Sequence, residues 1–267
     1  MGEFSAEWLA LREPADHRAR SVDLSRAVGA RLIDRHPVRV VDLAAGTGSN
    51  LRYLARFLPP RQHWRLVDRD TALLAQFRMK AAPSVASVHL QPRDLSEPAT
   101  LADLFEASAL VTASALLDLV SAPWLDAVAD LCRSAGAAAL FALTYDGRIS
   151  CAPVDPDDET VRGDVNRHQR TDKGFGPALG PDAAAYAQQC FASRGFVVKR
   201  ERTDWTLGPA DTHVQRGLID GWTTAAIAIA PDRAPLVEAW RARRLEHVDG
   251  GRSTMVVGHE DLTAWIR

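Results

Sequence analysis

The chain has few of the residues that cross-link small extracellular domains or hold metal ions. Only three of its 267 residues are cysteines, at positions 132, 151 and 190, and their wide spacing gives neither a disulfide framework nor a CxxC zinc motif. The eight histidines include no i,i+4 pair and no cluster with cysteine, so no metal site is predicted. We expect buried, reduced thiols.

The sequence also lacks a strong charge of one sign and a long apolar run. Its formal net charge is −2, so no basic field is available to capture nucleic acid or an anionic membrane. The apolar runs are shorter than the ~20 residues that cross a bilayer, and Glu3 and Glu7 do not suit the start of a secretory signal. We expect a cytoplasmic protein without nucleic-acid or membrane partners, and a homodimer is one option for its assembly.

The most informative stretch joins a buried strand, a glycine turn and an amphipathic helix. Residues 38–43 form the apolar run of an interior parallel strand, with Asp42 near its carboxyl end. Gly46 and Gly48 permit a sharp turn and the close approach of a ligand. Residues 51–58 then follow a helical pattern. This order of elements is typical of a nucleoside-binding site.

The spacing of nearby residues narrows the class of nucleoside. A dinucleotide site requires a third glycine, and Leu51 takes that position, which disfavours NAD and FAD. Asp68 ends a second strand, HWRLVD, where a carboxylate can accept both ribose hydroxyls. A third strand over residues 85–90 leads to Asp94 and Leu95, which suit an adenine amino group and its apolar ring face. Singly, the glycines are equally typical of a plain turn, Asp68 of a solvated strand end and Asp94 of a turn cap.

Taken in order, residues 38–143 resemble the class I S-adenosylmethionine-dependent methyltransferases. The glycine motif of that family reads acidic-x-Gly-x-Gly-x-Gly, and the segment Asp42-Leu43-Ala44-Ala45-Gly46-Thr47-Gly48 keeps the acid and the last two glycines. Ala44 replaces the first glycine. The resemblance implies an enzyme whose cofactor is S-adenosylmethionine and whose product is S-adenosylhomocysteine.

The resemblance also assigns a set of cofactor residues. It places the glycine turn under the methionine part of the cofactor, Asp68 at the ribose, and Asp94 and Leu95 beside the adenine. The end of the fourth strand lies beside the sulfonium. The predicted cofactor set is Asp42, Ala44, Gly46, Gly48, Asn50, Asp68, Arg69, Asp94, Leu95, Ala113 and Ser114.

The remaining pattern predicts an α/β fold with a Rossmann-like seven-stranded sheet and helical cap insertions. The later strands are predicted over residues 109–113, 137–143, 196–202 and 254–258. In the family the last two pair antiparallel, which gives the strand order 3-2-1-4-5-7-6. The core comprises residues 37–145, 181–203 and 253–267.

Three additions are predicted at the mouth of this core. Residues 1–36 form an N-terminal helical lid, in which Pro14 interrupts the first helix. Residues 146–180 are rich in Asp, Pro and Gly and form either a disordered segment or a lid that contacts the methyl acceptor. Residues 204–252 form a helical insertion.

Candidate acceptor residues come from these additions. His168 is a candidate base, and Arg170 and Lys173 suit an acidic acceptor, although such a segment is also typical of a solvated loop. Tyr145, just past the fifth strand, is a candidate catalytic contact. Trp205 is a candidate aromatic wall or a packed core residue, and Arg12 either closes the near side of the pocket or lies on an exposed amphipathic helix.

Absent motifs narrow the acceptor. Residues 112–118 do not contain the Asp/Asn-Pro-Pro-aromatic motif of enzymes that methylate amino groups of nucleic-acid bases. The paired glutamates of arginine methylation and a magnesium-binding acid cluster are also missing. Methyl transfer to an oxygen or nitrogen of a small-molecule metabolite is therefore favoured. A catalytically silent S-adenosylmethionine-binding or regulatory protein stays open because fold does not fix function, and a nucleotide-dependent oxidoreductase is the weaker alternative.

Overall fold

One sheet runs through the centre of the protein, in a computed structural model that describes residues 5–79 and 82–266. The strand order is β3-β2-β1-β4-β5-β8-β6, and β7 pairs with β8 outside this row. β1 to β5 are parallel, whereas β8 runs antiparallel to β5, β6 and β7. The strands of the described residues are β1 (Val38–Leu43), β2 (Gln62–Asp68), β3 (Val85–Pro92), β4 (Leu110–Ser114), β5 (Ala138–Ala152), β6 (Phe196–Arg202), β7 (Trp205–Leu207) and β8 (Thr254–Ile266).

Helices cover both faces of the central strands, which explains why those strands are almost continuously apolar. The helices are α1 (Ala6–Ala19), α2 (Val22–Arg31), α3 (Ser49–Leu54), α4 (Thr71–Ala75), α5 (Ala102–Phe105), α6 (Ala122–Ala135), α7 (Asp158–Gln169), α8 (Ala183–Ser193), α9 (Thr212–Ile229) and α10 (Ala234–Asp249). Residues that were predicted to begin and end helices do so. Asp70 caps α4, Ser121 caps α6, and Gly136 ends α6 in a left-handed conformation.

The predicted strand order is confirmed, with β8 as the predicted seventh strand. Because β1, β2 and β4 are parallel neighbours or near neighbours, their carboxyl ends meet at one edge of the sheet. That edge is where open α/β sheets bind ligands. The short strand β7 was not predicted, and it lies at the start of the segment 204–252 that was expected to be a helical insertion.

The predicted boundary after Tyr145 is wrong, because β5 continues to Ala152. Residues 149–152 pair with residues 254–257 of β8, so this stretch gains backbone hydrogen bonds from a strand about a hundred residues later. The rest of the segment is not disordered either. Val161 and Val165 on α7 are buried in the core, which gives this helix the apolar contacts that composition alone did not reveal.

The N-terminal helix is also more continuous than predicted, because α1 runs through Pro14. Contacts on both sides of the proline hold the helix in place. Before it, the ring of Trp8 packs on Gly217 of α9; after it, His17 Nε2 lies 3.1 Å from Ser49 Oγ. These contacts offset the backbone hydrogen bond that proline removes.

Two absences can be stated for the residues that the structure describes. None of the described helices combines the length and apolar character that a bilayer crossing requires. Within the same residues, no group of three His, Cys, Asp or Glu side chains is placed to bind a metal ion. The three cysteines are buried and unpaired with one another.

Two glycines allow a test of how α2 packs on the core. A Cβ added at Gly29 would lie 2.0 Å from the carbonyl oxygen of Phe57, whereas one added at Gly163 on α7 would meet no atom within 4 Å. We expect Gly29→Ala to lower the free energy of unfolding by about 1–3 kcal/mol, and Gly163→Ala to raise it by about 0.4–1 kcal/mol. Urea unfolding of both variants measures these free energies. Equal changes in the two variants would contradict the close packing of α2 at Gly29.

Candidate functional site

A pocket of about 580 Å³ lies at the edge where β1, β2 and β4 end. Its size is typical of small-molecule sites. The predicted cofactor residues that line it are Asp42, Ala44, Gly46, Asn50, Asp68, Arg69, Leu95 and Ser114. Gly48, Asp94 and Ala113 of the predicted set are not among the lining residues. The sequence pattern therefore indicated much of this pocket from the strand ends alone.

The glycine turn forms the floor of the pocket in a left-handed backbone conformation. Ala44, Gly46 and Gly48 have φ angles of 53°, 53° and 83°. A Cβ at Gly48 would lie 2.5 Å from the ring of Phe77, so that position requires glycine for both space and conformation. Ala44 stands where the methyltransferase motif has its first glycine. The backbone at Ala44 keeps the left-handed conformation that glycine adopts easily, and this conformation is strained for an alanine.

Asp68 is held rigidly beside this turn. One carboxylate oxygen accepts the backbone N–H of Gly46 at 2.8 Å, and the other accepts the N–H of Asp70 at 2.9 Å. The neighbouring Asp94 behaves differently, because it is exposed and accepts the N–H of Ser96 at 2.9 Å. That hydrogen bond lowers the pKa of Asp94. Asp94 thus caps a turn, while Leu95 reaches the pocket.

A buried polar network supports the other end of the pocket. The Asn50 amide donates to Asp42 Oδ1 at 2.7 Å and to Thr112 Oγ1 at 3.1 Å, while Arg20 Nη1 donates to Asn50 Oδ1 at 3.0 Å. Asp42 Oδ2 is buried without a partner. Burial raises the pKa of Asp42 to about 7. Arg20 donates through Nε to Asp261 of β8 at 3.3 Å.

α1 forms the wall of the pocket opposite the sheet. Leu9, Arg12 and Asp16 of this helix line the pocket. Arg12 Nε donates to Asp16 Oδ2 at 3.0 Å, and the Arg12 guanidinium lies 5.6 Å from the centre of the Trp205 ring. The structure therefore brings the two predicted wall residues together. Asp16 was missed by the sequence reasoning, although its i,i+4 spacing from Arg12 was visible.

His168 and Lys173 lie together at the end of α7, and neither is among the residues that line the pocket. Lys173 is buried, and its Nζ donates to Thr171 Oγ1 at 2.8 Å and lies 3.2 Å from His168 Nδ1. Burial and the charge of Lys173 lower the pKa of His168. Arg170 is turned away, because it is exposed and pairs with Asp182 at 2.8 Å. It is thus engaged at the surface and not with His168 and Lys173.

Asp118 joins this cluster and was missed by the sequence reasoning. It follows β4 in a short helical turn, and Gln169 Nε2 donates to its Oδ2 at 3.4 Å. Asp118 Oδ1 is buried without a partner, and burial raises the pKa of this carboxyl group to about 6. A carboxylate just past the fourth strand was a signal that could have identified it.

The segment that follows Lys173 closes over the pocket. Gly174 and Gly176 have φ angles of 94° and 82°, and both donate their N–H groups to Asp172 Oδ1. This tight loop directs Phe175 into the pocket lining, where its ring meets Trp124 edge-on at 5.6 Å. The glycine pair therefore serves to place one aromatic ring.

Tyr145 lies deeper in the fold than predicted. Its hydroxyl donates to Asn166 Oδ1 at 2.8 Å, and its ring contacts that of His259 at 6.3 Å. Burial raises the pKa of Tyr145, and the residue is not among those that line the pocket. Its hydroxyl is committed to α7, so its position suits support of that helix.

The sequence matches no family model and no curated protein. Solved structures do match. A cyclopropane synthase from Mycobacterium tuberculosis shares 11% identity at a TM-score of 0.51, over 98% of this chain and 94% of that one. A protein from Anaeromyxobacter dehalogenans, assigned as a type II methyltransferase, shares 17% identity at a TM-score of 0.52, over 91% and 95%.

The chain has the class I S-adenosylmethionine-dependent methyltransferase fold. The strand order with its antiparallel β8 and the glycine turn after β1 are the features that the resemblance predicted. The division into a core and three additions stays a prediction; the elements that correspond to the predicted additions are α1 and α2, the end of β5 with α7, and the pair α9 and α10.

The strain at Ala44 can be tested directly. Relief of a left-handed alanine is worth about 1–2 kcal/mol, and the extra freedom of an unfolded glycine costs about 0.5–1 kcal/mol. We therefore expect Ala44→Gly to raise the free energy of unfolding by about 0.5–1 kcal/mol. Ala45→Gly is the matched control, because Ala45 is buried and is not among the residues with positive φ; it should destabilise. Urea unfolding measures both variants, and a loss of stability in Ala44→Gly as well as in Ala45→Gly would contradict this interpretation.

The raised pKa of Asp42 predicts a pH-dependent stability. This carboxyl group ordinarily ionises near pH 3.8, and burial raises its pKa to about 7. Between these values the unfolded state loses its proton first. The folded state favours the protonated form of Asp42, so its contribution to the free energy of unfolding is fully present below about pH 4. This contribution is lost as the pH rises to about 7.

Asp42→Asn removes this titration while keeping an acceptor for Asn50. The free energy of unfolding of the wild type, minus that of the variant, should fall by ~2–4 kcal/mol between about pH 4 and 7 and then stay level. Urea unfolding across this range measures the difference. A difference that is constant with pH would refute the raised pKa.

Proposed function

We propose that the protein is an enzyme that transfers the methyl group of S-adenosylmethionine to an oxygen or nitrogen atom of a small-molecule metabolite. The observation that carries this proposal is the left-handed turn of Ala44, Gly46 and Gly48 with Asp68 anchored to it, at the mouth of a sheet of methyltransferase order. A nucleoside with a charged tail fits a pocket that is polar at both ends.

The residues present fit this cofactor. Each oxygen of Asp68 accepts one backbone N–H and retains capacity for a second hydrogen bond, which suits the two ribose hydroxyls. Leu95 offers an apolar contact for a base. At the opposite end, the unpartnered oxygen of Asp42 suits a cationic group. S-adenosylmethionine, when bound, supplies an already electrophilic methyl group.

The task of the protein is then to align the acceptor and to exclude water, which can be worth several powers of ten in rate. α1 covers one side of the pocket, and Phe175 covers another. Leu116 and Leu119, which follow β4, add an apolar surface next to Ser114. Such a lining favours a compact acceptor with apolar surface over a polymer.

Catalytic roles on the acceptor side are assigned to the cluster at the end of α7. Burial and the charge of Lys173 lower the pKa of His168, which favours the neutral ring that can accept a proton. Lys173 suits an anionic group of the acceptor. Asp118 balances the charge of Lys173, and Tyr145 positions α7 through Asn166. Arg12 lines the pocket from α1, whereas Trp205 packs behind Arg12 and is not among the lining residues.

Cofactor binding is the first test of this function. Calorimetry should show S-adenosylmethionine and S-adenosylhomocysteine binding with micromolar affinity, about −8 kcal/mol. Asp68→Ala should weaken both by about 1.5–3 kcal/mol, since hydrogen bonds to a charged group are lost. Asp23→Ala, an exposed position on α2, is the control. Binding of NADH without binding of S-adenosylmethionine would overturn the proposal.

Methyl transfer is the second test, with small acids, amines and phenols as acceptors. With an acceptor in hand, His168→Ala should lower kcat by about 10²–10³ and leave cofactor affinity unchanged. Lys173→Ala should raise the KM for an anionic acceptor. Arg170→Ala is the matched control, because Arg170 is paired with Asp182 at the surface. Cofactor binding without turnover of any acceptor would instead favour a silent binding protein.

A further inference from the structure

The proposed cofactor pocket contains a buried acid on α1 with one oxygen that no group of the described residues contacts by a hydrogen bond. Asp16 on α1 is 5% exposed and lines the pocket. Its Oδ2 accepts a hydrogen bond from Arg12 Nε at 3.0 Å, but its Oδ1 is buried without any partner. A buried carboxylate oxygen without a partner is costly. A ligand that donates to this oxygen would remove that cost.

An ordinary ion pair between neighbouring turns of a helix does not explain this arrangement. Such i,i+4 pairs are usually solvated and contribute little, whereas the side chains of Arg12 and Asp16 are only 13% and 8% exposed. Both residues also line the pocket, so their charges face the space in which a ligand would bind. Burial raises the pKa of Asp16 although the charge and hydrogen bond of Arg12 act in the opposite direction.

The charge pattern defines the class of ligand group. An unpartnered carboxylate oxygen suits an ammonium, and the neighbouring guanidinium suits a carboxylate. An α-amino acid carries both groups on one carbon. The location agrees, because Leu9 of the same helix lies 3.1 Å from the position of a Cβ on Gly46, and the charge of Arg20 acts on both Asp16 and Asp42.

We propose that Asp16 and Arg12 form the subsite for the α-amino-acid end of the cofactor, so that α1 selects nucleosides that carry an amino acid. The inference rests on the proposed function, because it assumes that the nucleoside end binds near Asp68. Asp16 is then a specificity residue that lies outside the glycine turn and its strand ends.

The test compares two ligands that differ in the amino-acid end. S-adenosylhomocysteine carries it, whereas 5′-methylthioadenosine has the same nucleoside and a thioether but no amino acid. Asp16→Asn keeps the shape of the side chain and removes its charge. We expect it to weaken S-adenosylhomocysteine by about 10- to 100-fold and 5′-methylthioadenosine by less than about twofold. Arg12→Gln should show the same selectivity.

Two controls make the outcome unambiguous. Asp23→Asn on the exposed face of α2 should change neither affinity, and binding of 5′-methylthioadenosine by the Asp16 variant reports that it is folded. Equal weakening of both ligands by Asp16→Asn, or no weakening of either, would overturn the inference. Failure of wild-type protein to bind either ligand, or insensitivity of both ligands to Asp68→Ala, would instead overturn the proposed function.

Discussion

A buried ion pair between Arg20 and Asp261 holds together parts of the chain that lie at opposite ends of the sequence. Their side chains are 1% and 2% exposed, and Asp261 also accepts the N–H groups of Ser21 and Leu143. Arg20 continues the network to Asn50. Loss of one partner would leave a buried charge without compensation, which is far more costly than the pair is stabilising. The N-terminal helices, β5, β8 and the glycine turn therefore share one electrostatic anchor.

This anchor explains how a nearly neutral protein has such a polar pocket. Charges that would be solvated elsewhere are gathered at the mouth of the sheet, where Asp42 and Asp118 have raised pKa values because they are buried. Perturbed carboxyl groups of this kind concentrate at functional sites. The core below them is apolar and is built from the central strands whose ends carry these residues.

The sequence predicts best those features that depend on residues close together in the chain. The apolar runs of the central strands, the helix caps and the spacing from Gly48 to Asp68 all depend on neighbouring residues, and the structure contains them. The length of β5 depends instead on pairing with β8, which no local pattern reveals; Arg148 is placed within the strand although it is charged, because Asp146 and Asp204 flank it. Asp16 and Asp118 did have sequence signals, but their burial depends on tertiary packing, which those signals do not reveal.

The contacts of α1 also link the pocket to the helical insertion. Trp8 fills the space left by the missing side chain of Gly217 on α9, while the adjacent Leu9 reaches over Gly46. Because successive residues point to different sides of a helix, α1 cannot move towards one neighbour without leaving the other. A displacement of α1 away from the pocket would therefore also disturb its contact with α9, a helix remote in sequence.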